Sequence, residues 1–203
     1  MKTLFIKASS LQKVNLNLFM FKDFPKPVGL VTTVQYEAQV KALSRKLKGS
    51  ILIGSVLGCD VSKAEKAKVN SFLFVGTGEF HPLMIKMKTK KPVFVFNPFD
   101  SRLSGIDDSS VQALLRQKQL AKIKFLRSST LGFLVSTKPG QEHLKQAFAL
   151  SEKLAKKSYV FIDNTFDLDS LQDFNFVDCF VNTACPRLPE GSIVPLINID
   201  DLG

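Results

Sequence analysis

Gly132-Phe133-Leu134-Val135-Ser136-Thr137-Lys138-Pro139-Gly140-Gln141 decides the fold, because it repeats an earlier stretch, Gly29-Leu30-Val31-Thr32-Thr33-Val34-Gln35. Each is a continuous apolar run that ends in hydroxyl side chains and brings a glutamine to the start of a helix-like segment. An apolar run without alternation is the pattern of a strand covered on both faces. The segment after the first copy, residues 37–48, puts Val40, Leu43 and Leu47 on one helical face. The segment after the second, residues 142–157, does the same with Leu144, Phe148 and Leu154. Self-similarity at a spacing of roughly 100 residues reads as one supersecondary unit used twice.

Outward from these two stretches the copies stay in step. Residues 50–54 and 158–163 are short apolar strands behind each helix. Phe72-Leu73-Phe74-Val75-Gly76 pairs with Val177-Asp178-Cys179-Phe180-Val181 as a third strand. Residues 92–96 and 193–197 make a fourth, each followed by Asn and then Asp. Short strands alternating with helices predict an α/β fold of two tandem related domains, each a small mostly parallel sheet with helices on both faces. The expected boundaries give an N-terminal extension at 1–25, a first domain at 26–127 closed by a long helix over 109–126, and a second at 128–203. The extension has no partner in the repeat and reads as an added strand, a hairpin or a terminal tail. Ligands collect beyond the carboxyl ends of strands in such sheets, which directs attention to loops 32–37, 55–61, 76–82, 97–102, 136–142 and 182–190.

Composition narrows the function classes. Of 203 residues, 45% are hydrophobic and 23% charged, the balance of a folded globular chain. Leu16 to Phe21, the nearest thing to a targeting core, is too short to span a bilayer and has no small-residue cleavage site behind it. A cytoplasmic protein without membrane contact is expected. Three cysteines do not make a disulfide framework, so a reduced compartment fits and metal or redox chemistry is the open question. The formal charge of +10 draws on lysines at 86, 88, 90 and 91 and at 118, 122 and 124. They read first as solvated faces and second as a docking surface for an acidic partner or RNA. With no RNA-recognition signature or zinc knuckle, direct nucleic-acid binding is not expected.

The chemistry-bearing residues sit in the same loops. In Gly58-Cys59-Asp60 the thiol stands where a metal-ligating thiolate would emerge from a strand's carboxyl end; a lone cysteine is otherwise an inert core residue. Ala184-Cys185-Pro186-Arg187 combines a thiol with a stiffened turn and a fixed cation. Arg187 favours the thiolate and also suits a carboxylate ligand through its planar fork. Cys179 alternates with Val177 and Val181 and reads as core filling. Gly76-Thr77-Gly78-Glu79-Phe80-His81-Pro82 permits close backbone approach to a ligand, with His81 as a polar contact or proton shuttle. His143 reads as a surface residue at a helix start.

Taken together, these loops resemble the diphthamide synthase family, archaeal members especially. Residues 29–35 (GLVTTVQ), 56–60 (VLGCD), 74–82 (FVGTGEFHP), 97–99 (NPF), 134–141 (LVSTKPGQ) and 177–188 (VDCFVNTACPRL) follow its landmarks in order, from about Pro27 to Leu196. The resemblance implies a 2-(3-amino-3-carboxypropyl)histidine synthase. Such an enzyme moves the 3-amino-3-carboxypropyl group of S-adenosylmethionine to a histidine of elongation factor 2, using a 4Fe-4S cluster held by one cysteine from each of three related domains. Carried over by motif, Cys59 and Cys185 match the ligands of the second and third domains. Gln35, Gly76, Gly78, Phe80, His81, Gln141 and Arg187 line the S-adenosylmethionine pocket or hold its loops, and the resemblance assigns no catalytic side chain.

Two departures shape the expectation. Only about 25 residues precede the second-domain motif, so the first domain and its cysteine have no counterpart. The tail Leu188-Pro189-Glu190-Gly191-Ser192 replaces a longer acidic segment. Two thiolates hold a cluster with one open iron poorly. A split enzyme is therefore expected, with a separate chain supplying the first domain and third cysteine, in a homo- or hetero-oligomer. The alternatives are a non-catalytic subunit or scaffold of the same pathway and, setting the resemblance aside, a metal-free nucleotide or sugar-nucleotide binder.

Overall fold

The computed structural model describes residues 4, 6–16, 21–56, 60–189 and 191–202. The chain forms two compact units, Met1–Gln112 and Ala113–Gly203.

In the first unit the elements run β1 (Val28–Thr32), a 3-10 turn at Val34–Tyr36, α1 (Glu37–Ser44), β2 (Ser50–Ser55), α2 (Ser62–Glu65), β3 (Ser71–Val75), α3 (Phe80–Thr89), β4 (Val93–Asn97) and β5 (Arg102–Gly105). The sheet order is β2-β1-β3-β4-β5. Four strands are parallel, and β5 adds an antiparallel edge strand that the repeat did not predict. In the second unit α4 (Asp108–Arg127) leads into β6 (Thr130–Ser136), α5 (Leu144–Lys153), β7 (Lys157–Asp163), a 3-10 turn at Ser170–Asp173, β8 (Cys179–Asn182) and β9 (Leu196–Asn198). Its sheet is wholly parallel in the order β7-β6-β8-β9. The two orders superimpose strand for strand, so the internal repeat is a repeat of topology. The unit division falls within α4, whereas the sequence pattern puts the boundary after that helix. Ala121 and Phe125 of α4 pack into the second unit's core beside Leu131 and Phe133.

β1 and β6 are interior strands, each next to an edge strand, paired on both sides and buried along nearly their whole length. A glycine makes that possible in each. A Cβ on Gly132 would lie 2.7 Å from Cδ1 of Phe180 and 2.9 Å from Cε2 of Phe161, and one on Gly29 would lie 2.9 Å from Cδ1 of Phe72 and 3.2 Å from Cγ1 of Ile53. Gly29 and Gly132 occupy the same place in the repeat, as do Phe72 and Phe180 on the neighbouring strand. The aromatic rings lie across the central strand because nothing projects from it there.

The helix faces follow from periodicity, with one correction. Val40 and Leu43 are buried on α1, and Leu47 packs against the same core, as the spacing required. On α5 the inward residues are Leu144, Ala147 and Leu150, with Leu154 just beyond the helix, while Phe148 is 47% exposed. Phe148 follows Ala147 by one residue, about 100° around the helix, and so turns away from the sheet. The second unit also has its two faces covered unequally. One face carries α4 and α5; the other is closed by the 3-10 turn and its flanking loop, through Phe166, Leu168, Leu171 and Phe174.

The expected extension forms no strand among its described residues. Residues 10–14 instead run along the first unit, tied by the Ser10 amide to the Gln35 carbonyl at 3.0 Å, by Gln12 Nε2 to the Pro98 carbonyl at 2.8 Å, and by Gln39. Gln39 of α1 donates from Nε2 to the Gln12 carbonyl and accepts at Oε1 from the Val14 amide, 2.9 and 2.7 Å. Phe21 and Phe24 then enter the core, where Phe24 stacks on Phe94. Several lysines expected to be solvated are recruited to structure. Lys86, only 15% exposed in its side chain, pairs with Asp108 at 3.0 Å, and Lys118 pairs with Asp201 at 2.6 Å. The segment 16–21, the candidate targeting core, lies largely outside the described residues. Among the described residues no helix is long and apolar enough to cross a membrane.

At the amino end of the second sheet, Asp178 accepts hydrogen bonds from the backbone amides of Ser129 and Thr130, both 2.8 Å. The amides of Thr130 and Ser129 hold its carboxyl below the usual carboxylate range. Its folded pKa is depressed, so its contribution to stability is present above the usual carboxylate range and lost as pH falls through the folded value. Asp178→Asn should flatten that acid limb of a plot of urea midpoint against pH. Gly132→Ala should destabilise the chain by about 1–3 kcal/mol, as overpacking of a filled core does, read from the same denaturation experiment at neutral pH.

Candidate functional site

The singled-out loops all follow the carboxyl ends of strands, but they divide between the two units. In the first unit the apolar β3 ends at Val75, and the chain turns through buried Gly76 and exposed Gly78 into α3. Gly78 adopts a φ of +79°, a left-handed conformation that favours glycine. The Gly76 amide donates to the Phe96 carbonyl at 3.1 Å, tying the turn to β4. Phe80 and His81 open α3. The His81 ring stacks on Phe74 at 5.8 Å between centroids, nearly parallel, and meets the edge of Phe80 at 5.6 Å. Thr33 Oγ1 lies close to Gly76 as well. The loop after β1 is thereby adjacent to the loop after β3, and exposed Gln35 belongs to the same carboxyl-end surface.

A cleft of about 260 Å³ opens here, between the Gly76–Glu79 turn and the β4–β5 hairpin, which contributes Asn97, Asp100, Arg102 and Ser104. The sequence marked loop 97–102, which ends at Arg102, without singling that residue out, because β5, the antiparallel strand it opens, has no counterpart in the repeat.

Cys59 and its neighbours Leu57 and Gly58 lie outside the described residues. The flanking Asp60 accepts a hydrogen bond from the Ser62 amide at 2.9 Å and turns the chain into α2.

In the second unit, Gln141 ends a turn after β6, its amide donating to the Lys138 carbonyl at 3.0 Å. Cys185 is half-buried in the turn after β8, and exposed Arg187 follows it two residues later. Asn182, 2% exposed, reaches over the turn. Its Nδ2 donates to the Cys185 carbonyl at 2.8 Å and to Oδ1 of Asn198 at 2.6 Å, while its Oδ1 accepts from the Ala184 amide at 2.9 Å. Asn198 in turn donates to the Pro186 carbonyl at 2.9 Å. Thr183 Oγ1 donates to the Leu134 carbonyl at 2.9 Å and fixes the turn's entrance to β6. Sequence reasoning missed both asparagines as supports. The available signal was the Asn that ends the fourth strand of each copy, which reads in the sequence only as part of the repeat.

The two described thiols differ sharply. Cys179 is buried in the core with Val181, and burial pushes its thiol up to about 12. Val177, expected on the same face, packs with Phe180 on the other. β8 begins only at Cys179, and Val177 belongs to the preceding turn, so the strand's alternation does not reach it. Among the described residues no group of three or more His, Cys, Asp or Glu side chains gathers as a metal site. His143 stands exposed at the start of α5.

A protein-family model described as "Putative diphthamide synthesis protein" matches residues 2–190. The 2-(3-amino-3-carboxypropyl)histidine synthase of Methanocaldococcus jannaschii is 33% identical over 174 residues, which cover 82% of this chain and 47% of that protein. Subunit 1 of the corresponding synthase in Caenorhabditis elegans is 28% identical over 140 residues, 66% of this chain and 35% of that one. Among solved structures, the crystal structure of Dph2 from Pyrococcus horikoshii with a 4Fe-4S cluster matches with a TM-score of 0.77 at 25% identity, covering 94% of this chain and 62% of that one. The chain spans about half the length of the curated relatives it matches.

Burial separates the thiols in a measurable way. Iodoacetamide, which consumes the thiolate, should label Cys185 in the native chain and leave Cys179 unmodified until denaturant is added. Equal labelling of the two in peptide mass spectra would contradict the burial of Cys179.

Proposed function

The chain belongs to the diphthamide synthesis protein family, and from that premise we propose that it is part of a 2-(3-amino-3-carboxypropyl)histidine synthase. Its protein substrate is a histidine of elongation factor 2, its co-substrate S-adenosylmethionine and its compartment the cytoplasm. The observation that carries the reading is the setting of Cys185. The thiol is half-exposed, at the carboxyl end of a central-sheet strand, in a turn whose backbone is tied on both sides.

That setting fits a thiolate ligand of an iron–sulfur cluster, and the setting of Cys179 does not. Cys185 and Cys59 are the two thiolates this chain contributes; a third comes from another chain or from a domain outside this sequence. When bound, the cluster would supply the electron for reductive cleavage of S-adenosylmethionine.

The chain's own residues would bind and orient the co-substrate. The Gly76–Gly78 turn lets a ligand approach the backbone closely. The partly exposed His81 ring stands beside it, backed by the buried Phe74 ring on which it stacks. Within the first unit Gln35 offers an amide contact; within the second, Gln141 offers another and the Arg187 fork suits a carboxylate. The name "subunit 1" carried by the Caenorhabditis elegans relative supports a multi-chain assembly.

The second reading is a non-catalytic subunit or scaffold of the same pathway. Co-expression with a chain supplying the first domain, followed by anaerobic iron and sulfide analysis, separates the two. The synthase reading expects a cluster in the complex that is lost in both Cys59→Ala and Cys185→Ala. Histidine modification that persists in both variants would leave the scaffold role as the surviving one.

A further inference from the structure

We infer that Asn182 and Asn198 form a two-residue clasp that positions the Cys185 thiol. This rests on the reading of Cys185 as a cluster ligand and adds the residues through which the protein fixes it.

The clasp stands at one register position. Asn182 and Asn198 face each other as the paired last residues of adjacent parallel strands β8 and β9. Their side chains meet at 2.6 Å and reach the backbone on both sides of the thiol: Ala184 and Cys185 through Asn182, Pro186 through Asn198. Asn182 spends both of its amide N–H groups and its carbonyl on this network, at 2% exposure. A buried amide so used is costly to replace, since truncation leaves the Ala184 amide and Asn198 Oδ1 short of a partner and removes one of the two hydrogen bonds to the Cys185 carbonyl, the other coming from the Leu188 amide.

No other residue type of similar size supplies the same set. Aspartate lacks the donors, leucine lacks both functions, and serine or threonine offers one donor where Asn182 needs two. Proline at 186 fixes one dihedral and removes one donor, and the clasp fixes what proline leaves free. The result is a thiol on a short turn tied at successive residues, the arrangement that preorganises a ligand atom.

The unloaded full chain provides the test, so the outcome does not depend on any cluster. Iodoacetamide labelling of each cysteine is followed by peptide mass spectrometry, with Cys179 as the internal reporter of unfolding. Asn182→Ala should raise the labelling rate of Cys185 about tenfold, the factor expected when one to two net hydrogen bonds restrain a loop, while Cys179 stays protected. Asn198→Ala, which removes the Pro186 bond and the partner of Asn182, should raise it in the same direction by less. If Asn182→Ala exposes Cys179, the fold has opened and Asn198→Ala decides. A Cys185 rate within twofold of the parent chain in the variant that keeps Cys179 protected overturns the clasp.

In the cluster-loaded complex, Asn182→Ala should shift the electron paramagnetic resonance spectrum of the reduced cluster, a change a merely stabilising residue would not produce. Iron content that survives Cys185→Ala would overturn the cluster reading and leave the labelling result standing, so the two failures are told apart.

Discussion

Everything in this chain hangs on two central strands that hydrogen-bond on both sides and are buried on both faces. β1 and β6 can occupy that place because Gly29 and Gly132 leave room for the rings of Phe72 and Phe180. The close approach sets the spacing of β3 and β8 against the centre. The parallel direction then delivers every loop of interest to one edge of its sheet. The GTGEFHP turn after β3 and the ACPR turn after β8 are consequences of that geometry, since each begins where the third strand of its copy runs out.

The two copies have diverged where their chemistry differs. Cys59 comes after β2, an edge strand, while Cys185 comes after β8, which is flanked on both sides. The candidate ligands are therefore not repeat equivalents, and each unit supports its own loops in its own way. Unit one adds β5 and lines a polar cleft with the hairpin that carries Arg102; unit two replaces that hairpin with the Asn182–Asn198 pair. Gly76 and Thr183 each follow the last residue of their strand, one to let the backbone come close, the other to bond back to the central strand through Leu134. A shared topology with different terminations is how one fold hosts distinct sites.

Much of this was legible in the residues. The succession of strands follows from pairing the copies, because apolar runs recur in step along the sequence, while their order across the sheet does not. The inert role of Cys179 was readable from its place within a strand. Less legible were features that depend on rotation or on distant partners. Phe148 is apolar and lies in a helix, yet a one-residue offset turns it outward. Val177 misses the face of Cys179 because the strand begins two residues later than the apolar pattern does. Gln39, which holds the tail at residues 12–14, has no sequence signature, since its partners lie 25 and 27 positions away.

The sequence by itself determined the class of fold, the doubling of the unit, the family and the loops that matter, since periodicity and ordered motifs are local properties of the chain. Only the tertiary structure decided how far each of the two described thiols is buried and what holds the turn of Cys185. Burial raises Cys179 out of reach, and two asparagines sixteen residues apart meet at the ends of neighbouring strands to clamp the turn of Cys185. Hydrogen bonds between side chains on different strands depend on register, which appears only when the strands pair.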